Sequence, residues 1–490
     1  MLARSTAIYG ASTVLMRLGS VVMLPITTNV LTPAEFGLVY TLVSVYEIVG
    51  ILVSEGTTAG LLKFYTAAAS EDERSEVATG TLVLLAVQAL VSAALVLLAA
   101  PLIRHYLLHD HAHDRLIYML AVTFVAGSLS PVPLAIMQAR QRAGLVSALS
   151  LVQFVLQLSG NVVLLLVFRL GPVGLQIATA AAFGVVGLIS LAWLVRNMRP
   201  RWRWSTAWRL RRFGVPYQIA SAAIFLLNSG DRFVLQATQT SAVTGLYTLG
   251  YQFGFLMYSL SAAPFLQAWT PMAFQYAAEP RPRRDAHLSE GLFALTALMM
   301  LVCVGVIAFA KPVLLAVSRH DFVAAADLVP PIVLAYALNG WYTVFRLQAD
   351  LSGHTRTVPV VNWVSAAVVV AGYFALIPRY GAWGAAAATL IAFATRTALM
   401  YWLGQRAFPV QWRLGRSAAV IGLAGVLCAA DLWLRPPTFA GMVAGGVLLV
   451  ASFVALCWAG VLTTGERAHA LRLVTKLRAR LPGRLAPRTT

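Results

Sequence analysis

Long apolar segments alternate with short polar ones along almost the whole chain. A helix needs about 20 apolar residues to cross the hydrocarbon of a bilayer, and each segment has about that length. Lys, Arg, Asp and Glu residues gather mainly between the segments. The pattern therefore predicts an all-α membrane protein with about 14 spanning helices. In chain order these spans cover residues 6–30, 37–56, 77–101, 116–138, 145–168, 173–195, 212–231, 243–269, 289–310, 324–349, 358–377, 382–404, 416–434 and 439–463.

Matching motifs in the two halves of the chain predict an internal duplication. Arg169–Gly174 resembles Arg379–Gly384, and Gly37-Leu38 corresponds to Gly245-Leu246 at nearly the same offset. Spans 1–6 and 7–12 are then two copies of one unit. Because six is an even number, both copies enter the membrane from the same face, and two parallel lobes predict a central cleft between them. The expected organisation is an N-terminal lobe (1–197), a basic interfacial linker (198–211), a C-terminal lobe (212–406), spans 13 and 14 (407–465) and a basic cytoplasmic tail (466–490).

Composition agrees with a polytopic membrane protein. Of the 490 residues, 59% are hydrophobic and only 11% are charged, whereas soluble domains average about 25% charged residues. The net charge of +19 comes from basic residues in the loops, without the aromatic platforms or folds that bind bases, so we expect no nucleic-acid partner. No phosphate-binding loop, metal-ligand spacing or catalytic constellation stands out, and we expect neither an enzyme nor a cofactor.

Orientation follows from the distribution of basic residues. If the N-terminus is inside, most of the 37 Lys and Arg residues fall on the inner side of the membrane, and the positive-inside rule then places both termini in the cytoplasm. The linker combines arginines with three tryptophans, which suits a segment at the level of the lipid headgroups. The tail carries apolar residues at helical spacing among basic ones, and we interpret it as an interfacial helix.

Charged residues inside the predicted spans are the main candidates for function. A charge at the bilayer centre costs about 2.5 to 3.5 kcal/mol, so such groups should face a wet cavity or one another. One hypothesis is a cationic cleft in which arginines bind a pyrophosphate; the other is a set of salt bridges that hold helices together. Glu47 and Glu55, about 80° apart around the second helix, are candidates for ion coupling or gating. The basic candidates are Arg17, Arg346 and Arg396.

Further candidates lie in the middle of the chain. Asp231-Arg232 follows an apolar span and is predicted to act as a gate or as a lock at the helix end. Asn228, one turn earlier, would bind substrate or its own backbone. Trp269 is a candidate to stack on carbohydrate in the cleft.

Several short motifs resemble one known family. They resemble bacterial polysaccharide transporters, the Wzx-like oligosaccharide flippases of the multidrug/oligosaccharidyl-lipid/polysaccharide (MOP) exporter superfamily. The motifs are Leu31–Gly37, Phe213–Pro216, Asp231–Phe233, Val243–Tyr247 and Leu376–Gly381.

This resemblance implies a 14-span, MATE-like fold in the bacterial inner membrane. It implies that the protein flips undecaprenyl-pyrophosphate-linked oligosaccharide units across that membrane by alternating access, for surface polysaccharide synthesis. The implied partners are the lipid-linked oligosaccharide, membrane lipids, a polysaccharide polymerase and other assembly proteins. Coupling to Na⁺, H⁺ or the membrane potential stays open.

Two related functions remain alternatives, a lipid II flippase and a MATE-type drug/cation antiporter. The carboxylates Glu47 and Glu55 leave the antiporter open, whereas the motifs and spans 13 and 14 favour the polysaccharide transporter. A membrane-embedded glycosyltransferase or polymerase would need a large outer loop with catalytic carboxylates, and no predicted outer loop is long enough.

Overall fold

A computed structural model describes residues 23–108, 113–434, 436–461 and 467 of the chain. These residues form helices joined by short turns, without a β-strand among them. We number the α-helices in chain order, and α1 is the helix that covers residues 23–30. The others are α2 (Pro33–Ser54), α3 (Thr57–Ala67), α4 (Glu71–Leu98), α5 (Ala100–Ile103), α6 (Asp114–Gly127), α7 (Pro131–Ala139), α8 (Ala143–Val162), α9 (Gly171–Asn197), α10 (Trp204–Ser229), α11 (Asp231–Thr238), α12 (Ser241–Leu260), α13 (Ala262–Tyr276), α14 (Arg281–Val317), α15 (Val329–Leu351), α16 (Thr357–Ala407), α17 (Leu414–Leu434) and α18 (Phe439–Leu456).

Ten segments of the described chain are long and apolar enough to cross a membrane. They confirm the prediction of a helical, multi-pass membrane protein. The predicted span 6–30 lies largely outside the described residues. Of the remaining predictions, 212–231 covers the larger part of α10 and the first residue of α11. The predicted span 243–269 is interrupted where α12 ends at Leu260 and α13 begins at Ala262. The total of about 14 spans stays a prediction.

The longest helix, α16, is a hairpin of two helices. Its backbone leaves the helical region at Gly381, where φ is 54° and ψ is −130°, a conformation that glycine adopts readily because it lacks a Cβ. A Cβ on Gly372 would lie 2.9 Å from the Cβ of Ala388, although these residues would be about 24 Å apart in a straight helix. The two halves therefore run back against each other, as predicted by the separate spans 358–377 and 382–404.

Helix α2 starts with a capping box that accounts for the motif Leu31–Gly37. The Oγ1 of Thr32 accepts a hydrogen bond from the backbone N of Glu35 at 3.2 Å, and the Glu35 carboxylate accepts one from the backbone N of Thr32 at 2.8 Å. Pro33 occupies the first turn, where a helix does not need its missing N–H. The motif is thus a helix start.

The buried apolar residues of the described chain form separate clusters, which draw mainly on different parts of the sequence. The largest core cluster is built mainly from residues 223–453 and includes Phe36 of α2. Three smaller clusters are built from residues 38–210. Helix α10 contributes Leu210 to one of the smaller clusters and Ala223 to the large one. Helices α2 and α10 therefore join the two groups, while the domain boundaries themselves stay a prediction.

The residues 198–211, predicted to form an interfacial linker, do not form a helix of their own. Helix α9 ends at Asn197, and α10 begins at Trp204 and continues to Ser229, so the second part of the linker is the first part of a long helix. Helices α17 and α18 pack against α14. The predicted tail 466–490 lies outside the described residues except for Arg467.

Candidate functional site

A cavity of about 640 Å³ lies between α10 and the helices α2, α3, α4, α6 and α7. Its polar wall comes mainly from the second half of α2 and the last three turns of α10. The cavity brings together three residues that the sequence singled out, Glu47, Glu55 and Asn228. The polar side chains of this wall are those of Glu47, Ser54, Glu55, Ser221, Asn228 and Ser229.

Two hydrogen bonds across the cavity join α2 to α10. The Oγ of Ser229 donates to Oε2 of Glu47 at 3.1 Å, and the Oγ of Ser221 donates to Oε1 of Glu55 at 3.4 Å. The two helices are antiparallel, so an eight-residue interval on one helix meets an eight-residue interval on the other. Each glutamate keeps an exposed carboxylate with further acceptor capacity. The wall can therefore accept hydrogen bonds from a hydroxyl-rich ligand or hold a cation.

One end of the interface between α2 and α12 is closed by glycines. A Cβ on Gly37 would overlap the carbonyl oxygen of Ser241, and a Cβ on Gly245 would overlap that of Pro33. Beside this crossing the ring of Phe36 packs edge-on against Phe322, with centroids 5.6 Å apart. The contact leaves no room for a ligand at this end.

Just after the other end of α2, the turn before α3 comes close to α10. Gly56 has a positive φ of 82°, and a Cβ there would lie 2.5 Å from the carbonyl oxygen of Gly214. Nearby, the Nε2 of Gln218 donates to the carbonyl oxygen of Leu52 at 3.1 Å, and Arg211 donates to Gln218 Oε1 at 2.9 Å. The cavity therefore lies between two close helix crossings.

Asp231 and Arg232 are buried in the core next to this cavity, in the first turn of α11. Asp231 is 0% exposed and accepts a hydrogen bond from the hydroxyl of Tyr247. The guanidinium of Arg232 lies 5.0 Å from the ring centroid of Tyr251 and donates to the carbonyl oxygen of Asn228 at 3.1 Å. The Asn228 side chain donates to its own helix, while its backbone links the cavity wall to this buried pair. Whether the pair acts as a gate stays a prediction.

The described arginines predicted as ligands do not line the cavity. Arg396 is 6% exposed. Its Nε donates to Asn362 Oδ1 and its Nη1 to Asn339 Oδ1, each at 3.0 Å, and its guanidinium lies 3.8 Å from the ring centroid of Tyr342. Arg346 lies one helical turn after Tyr342, exposed and 3.5 Å from Asp350. The contact of Arg346 matches the salt-bridge alternative, whereas Arg396 donates to neutral amides, and the substrate role of both arginines stays a prediction.

Trp269 and Arg17 complete the candidate set. Trp269 is buried in α13, where its ring stacks on Phe265 and its indole nitrogen fills the space beside Gly291. It is therefore not part of the cavity wall, and stacking on carbohydrate there stays a prediction. Arg17 lies outside the described residues.

The charge of the cavity differs from the expectation of a cationic cleft. Both charged side chains in its described wall are glutamates. The sequence did not identify Ser221 and Ser229, whose hydroxyls contact those glutamates. The matching eight-residue intervals were visible in the sequence, but the pairing of α2 with α10 was not.

Comparison with known proteins identifies the class. A family model described as "Polysaccharide biosynthesis protein" matches residues 2–277, so the chain belongs to that family. Its members are transport proteins rather than enzymes. No curated protein sequence matches the chain.

Solved structures of transport proteins share the fold of this chain. The fold is similar to "Lipid II flippase MurJ, inward closed conformation", with a TM-score of 0.73 and 12% identity over 92% of this chain and 99% of that one. An inward-facing MATE multidrug transporter matches with a TM-score of 0.63 and 15% identity, covering 80% of this chain and 93% of that one. A MOP transporter from Pyrococcus furiosus matches with a TM-score of 0.52 and 16% identity, covering 83% and 94%. At these identities the matches show the fold alone.

Proposed function

We propose that this protein flips lipid-linked oligosaccharide units across the bacterial inner membrane, and that the cavity between α2 and α10 holds the sugar. The observation that carries the proposal is a carboxylate- and hydroxyl-lined cavity of about 640 Å³ in a polysaccharide biosynthesis protein with a MOP transporter fold. The lipid is proposed to be undecaprenyl pyrophosphate, and the product would serve surface polysaccharide synthesis. A polymerase and other assembly proteins would be its partners.

The chemistry of the wall suits a sugar. Each hydroxyl group that enters hydrocarbon without a hydrogen-bond partner costs several kcal/mol. The carboxylates of Glu47 and Glu55 accept hydrogen bonds, and the hydroxyls of Ser221 and Ser229 can donate or accept. The cavity would shield the polar head while the polyprenyl tail stays in the bilayer.

Two like lobes would expose this cavity to each side of the membrane in turn. Gly37 and Gly245 occupy corresponding positions in the two proposed repeats and contact each other across α2 and α12, as residues near a two-fold axis would. With both termini in the cytoplasm this crossing lies toward the periplasm, so the cavity lies on the cytoplasmic side of the seal. Rocking of the lobes about the crossing would reverse the access.

The carboxylates provide the test. The double variant Glu47→Gln/Glu55→Gln keeps the size of both side chains and removes their charge. A hydrogen bond to a charged group contributes about 1.5–3 kcal/mol, so we expect translocation of a fluorescent lipid-linked oligosaccharide in liposomes to fall roughly tenfold or more.

The matched control is Asp72→Asn/Glu76→Gln, which removes two carboxylates of α4 that pair with Arg201 and Arg203 outside the cavity. It should translocate like the wild type. If both double variants translocate the lipid equally well and give equal yields of folded protein, the cavity is not part of the transport path.

An alternative function is cation antiport of the MATE type, and the acidic wall favours it. Glu47 and Glu55 would then bind a cationic drug, Na⁺ or H⁺. The two functions separate in one experiment, because a cation antiporter should extrude a cationic dye against an ion gradient in liposomes without lipid-linked sugar. Repeating the sugar assay with Na⁺, with a pH gradient and with a membrane potential would identify the coupling. Using lipid II as the substrate would test that alternative.

A further inference from the structure

Two basic side chains meet on one pair of aromatic rings where α3 packs against α10. The Nζ of Lys63 lies 4.4 Å from the ring centroid of Phe213 and 5.8 Å from that of Phe64. The guanidinium carbon of Arg209 lies 4.8 Å from the centroid of Phe64. The two rings pack edge to face, with centroids 5.5 Å apart. Both cations are therefore held beside one aromatic pair by cation–π attraction.

This pair of cations has no neutralising carboxylate in the described part of the chain. Neither Lys63 nor Arg209 forms an ion pair there, whereas Arg201, a few residues before Arg209, pairs with Asp72 at 2.7 Å. Two like charges on one ring pair repel each other. An anion placed between them would relieve that repulsion.

Exposed tryptophans mark the depth of this cluster in the membrane. Trp204 and Trp208 are 72% and 63% exposed, and Trp208 directly precedes Arg209. Tryptophans at such positions are typical of the lipid headgroup level. The anion that is most available at that level is a lipid phosphate.

The cluster lies next to the cavity. Ala59, which lines the cavity, comes one helical turn before Lys63 on α3. On α10, Phe213 lies about 12 Å along the helix from Ser221, whose hydroxyl contacts the cavity glutamate Glu55. A lipid with its phosphate at the cluster would therefore have its headgroup at this end of the cavity, beside the close approach of Gly56 to Gly214.

We infer that Lys63 and Arg209 form a binding site for a lipid phosphate at the end of the cavity where Gly56 approaches Gly214. Arg209 supplies a planar donor pair that matches phosphate oxygens, and Lys63 supplies a compact charge. The phosphate can come from the transported lipid pyrophosphate or from a bulk anionic phospholipid. Only the first of these occupants rests on the proposed function.

Binding measurements on the purified full chain in phosphatidylcholine nanodiscs test this site. The variant is Lys63→Gln/Arg209→Gln, and the matched control is Arg201→Gln/Arg203→Gln, which removes the same charge from arginines that already have carboxylate partners. The probes are a fluorescent polyprenyl pyrophosphate, phosphatidylglycerol as a competitor, and the corresponding polyprenol without phosphate.

We expect the Lys63/Arg209 variant to bind the pyrophosphate probe roughly 30-fold more weakly, while the control binds like the wild type. Effective competition by phosphatidylglycerol at the same two residues would support the site and assign it to bulk phospholipid. Weak competition would assign it to the transported lipid. Equal affinity of the two double variants, or equally tight binding of the polyprenol, would overturn the inference.

Failure of this site and failure of the proposed function give different results. If the protein is a flippase but Lys63 and Arg209 do not bind phosphate, the wild-type protein in liposomes translocates the sugar lipid and the Lys63/Arg209 variant binds the probe as tightly as the wild type. If Lys63 and Arg209 bind phosphate but the protein is not a flippase, the Lys63/Arg209 variant binds the probe more weakly, while the wild-type protein in liposomes does not translocate the sugar lipid.

Discussion

Replacing Asp231 by Asn is expected to destabilise the folded chain by about 1.5–3 kcal/mol, because the buried carboxylate accepts the hydrogen bond of Tyr247 and balances the charge of Arg232. Asp231 is 0% and Arg232 9% exposed. The guanidinium of Arg232 has no carboxylate within ion-pair distance among the described residues, and Asp231, its neighbour in the chain, is the acidic residue that balances it. Thermal unfolding in detergent, followed by the loss of monodisperse protein, measures the change.

The exposed carboxylate Asp72 provides the matched comparison. It pairs with Arg201 at the surface, where ion pairs contribute little, so Asp72→Asn should unfold close to the wild type. The double variant Asp231→Asn/Arg232→Met removes both buried charges and should be more stable than Asp231→Asn alone. A variant Asp231→Asn as stable as Asp72→Asn would show that Arg232 does not depend on this carboxylate.

A single methyl group on Gly245 is expected to separate α2 from α12. The new Cβ would overlap the carbonyl oxygen of Pro33 and come close to the backbone of Gly37. Backbone atoms of a helix cannot move aside as a flexible side chain can, so we expect Gly245→Ala to cost about 3 kcal/mol or more in the closed arrangement. Only the conformation in which α2 and α12 are in contact at this crossing is destabilised, so the population of the conformation in which they are separated increases.

Accessibility of a cysteine near the crossing measures this shift. In a variant that carries Phe36→Cys, a membrane-impermeant thiol reagent should react faster when Gly245→Ala is added. Gly422→Ala is the control, since a Cβ at Gly422 in α17 meets nothing within 4 Å. Unchanged reactivity with Gly245→Ala would show that the crossing does not close this end.

The existence of the apolar spans and the break at Gly381 were predictable from the sequence. Apolar length is set by the thickness of the bilayer, so the spans appear directly as hydrophobic runs. The break at Gly381 follows from a glycine that can adopt a positive φ, three residues after Pro378, and the structure has a hairpin there. The capping box at Thr32 is likewise a local pattern.

The direction in which each side chain points was harder to predict from the sequence. Glu47 and Glu55 were predicted about 80° apart on one helix, and both line the cavity. Arg396 lies within a segment long and apolar enough to span a membrane, but the sequence does not show that it donates hydrogen bonds to Asn339 of α15 and to Asn362 on the other arm of the α16 hairpin. The rotation of a helix about its axis depends on which helices pack against it. The pattern of residues in one sequence does not show which helices are in contact.

Ligand protection at Ser221 tests most directly the claim that the cavity carries the sugar. The chain would carry Ser221→Cys, with Cys303, Cys428 and Cys457 replaced by Ala. Its alkylation rate by a membrane-impermeant maleimide would be measured in inside-out membranes with and without lipid-linked oligosaccharide. Thr355→Cys, in the exposed turn before α16, serves as the reference. The account predicts that the sugar lipid slows labelling at Ser221→Cys and leaves Thr355→Cys unchanged; equal rates at Ser221→Cys with and without it would contradict the account.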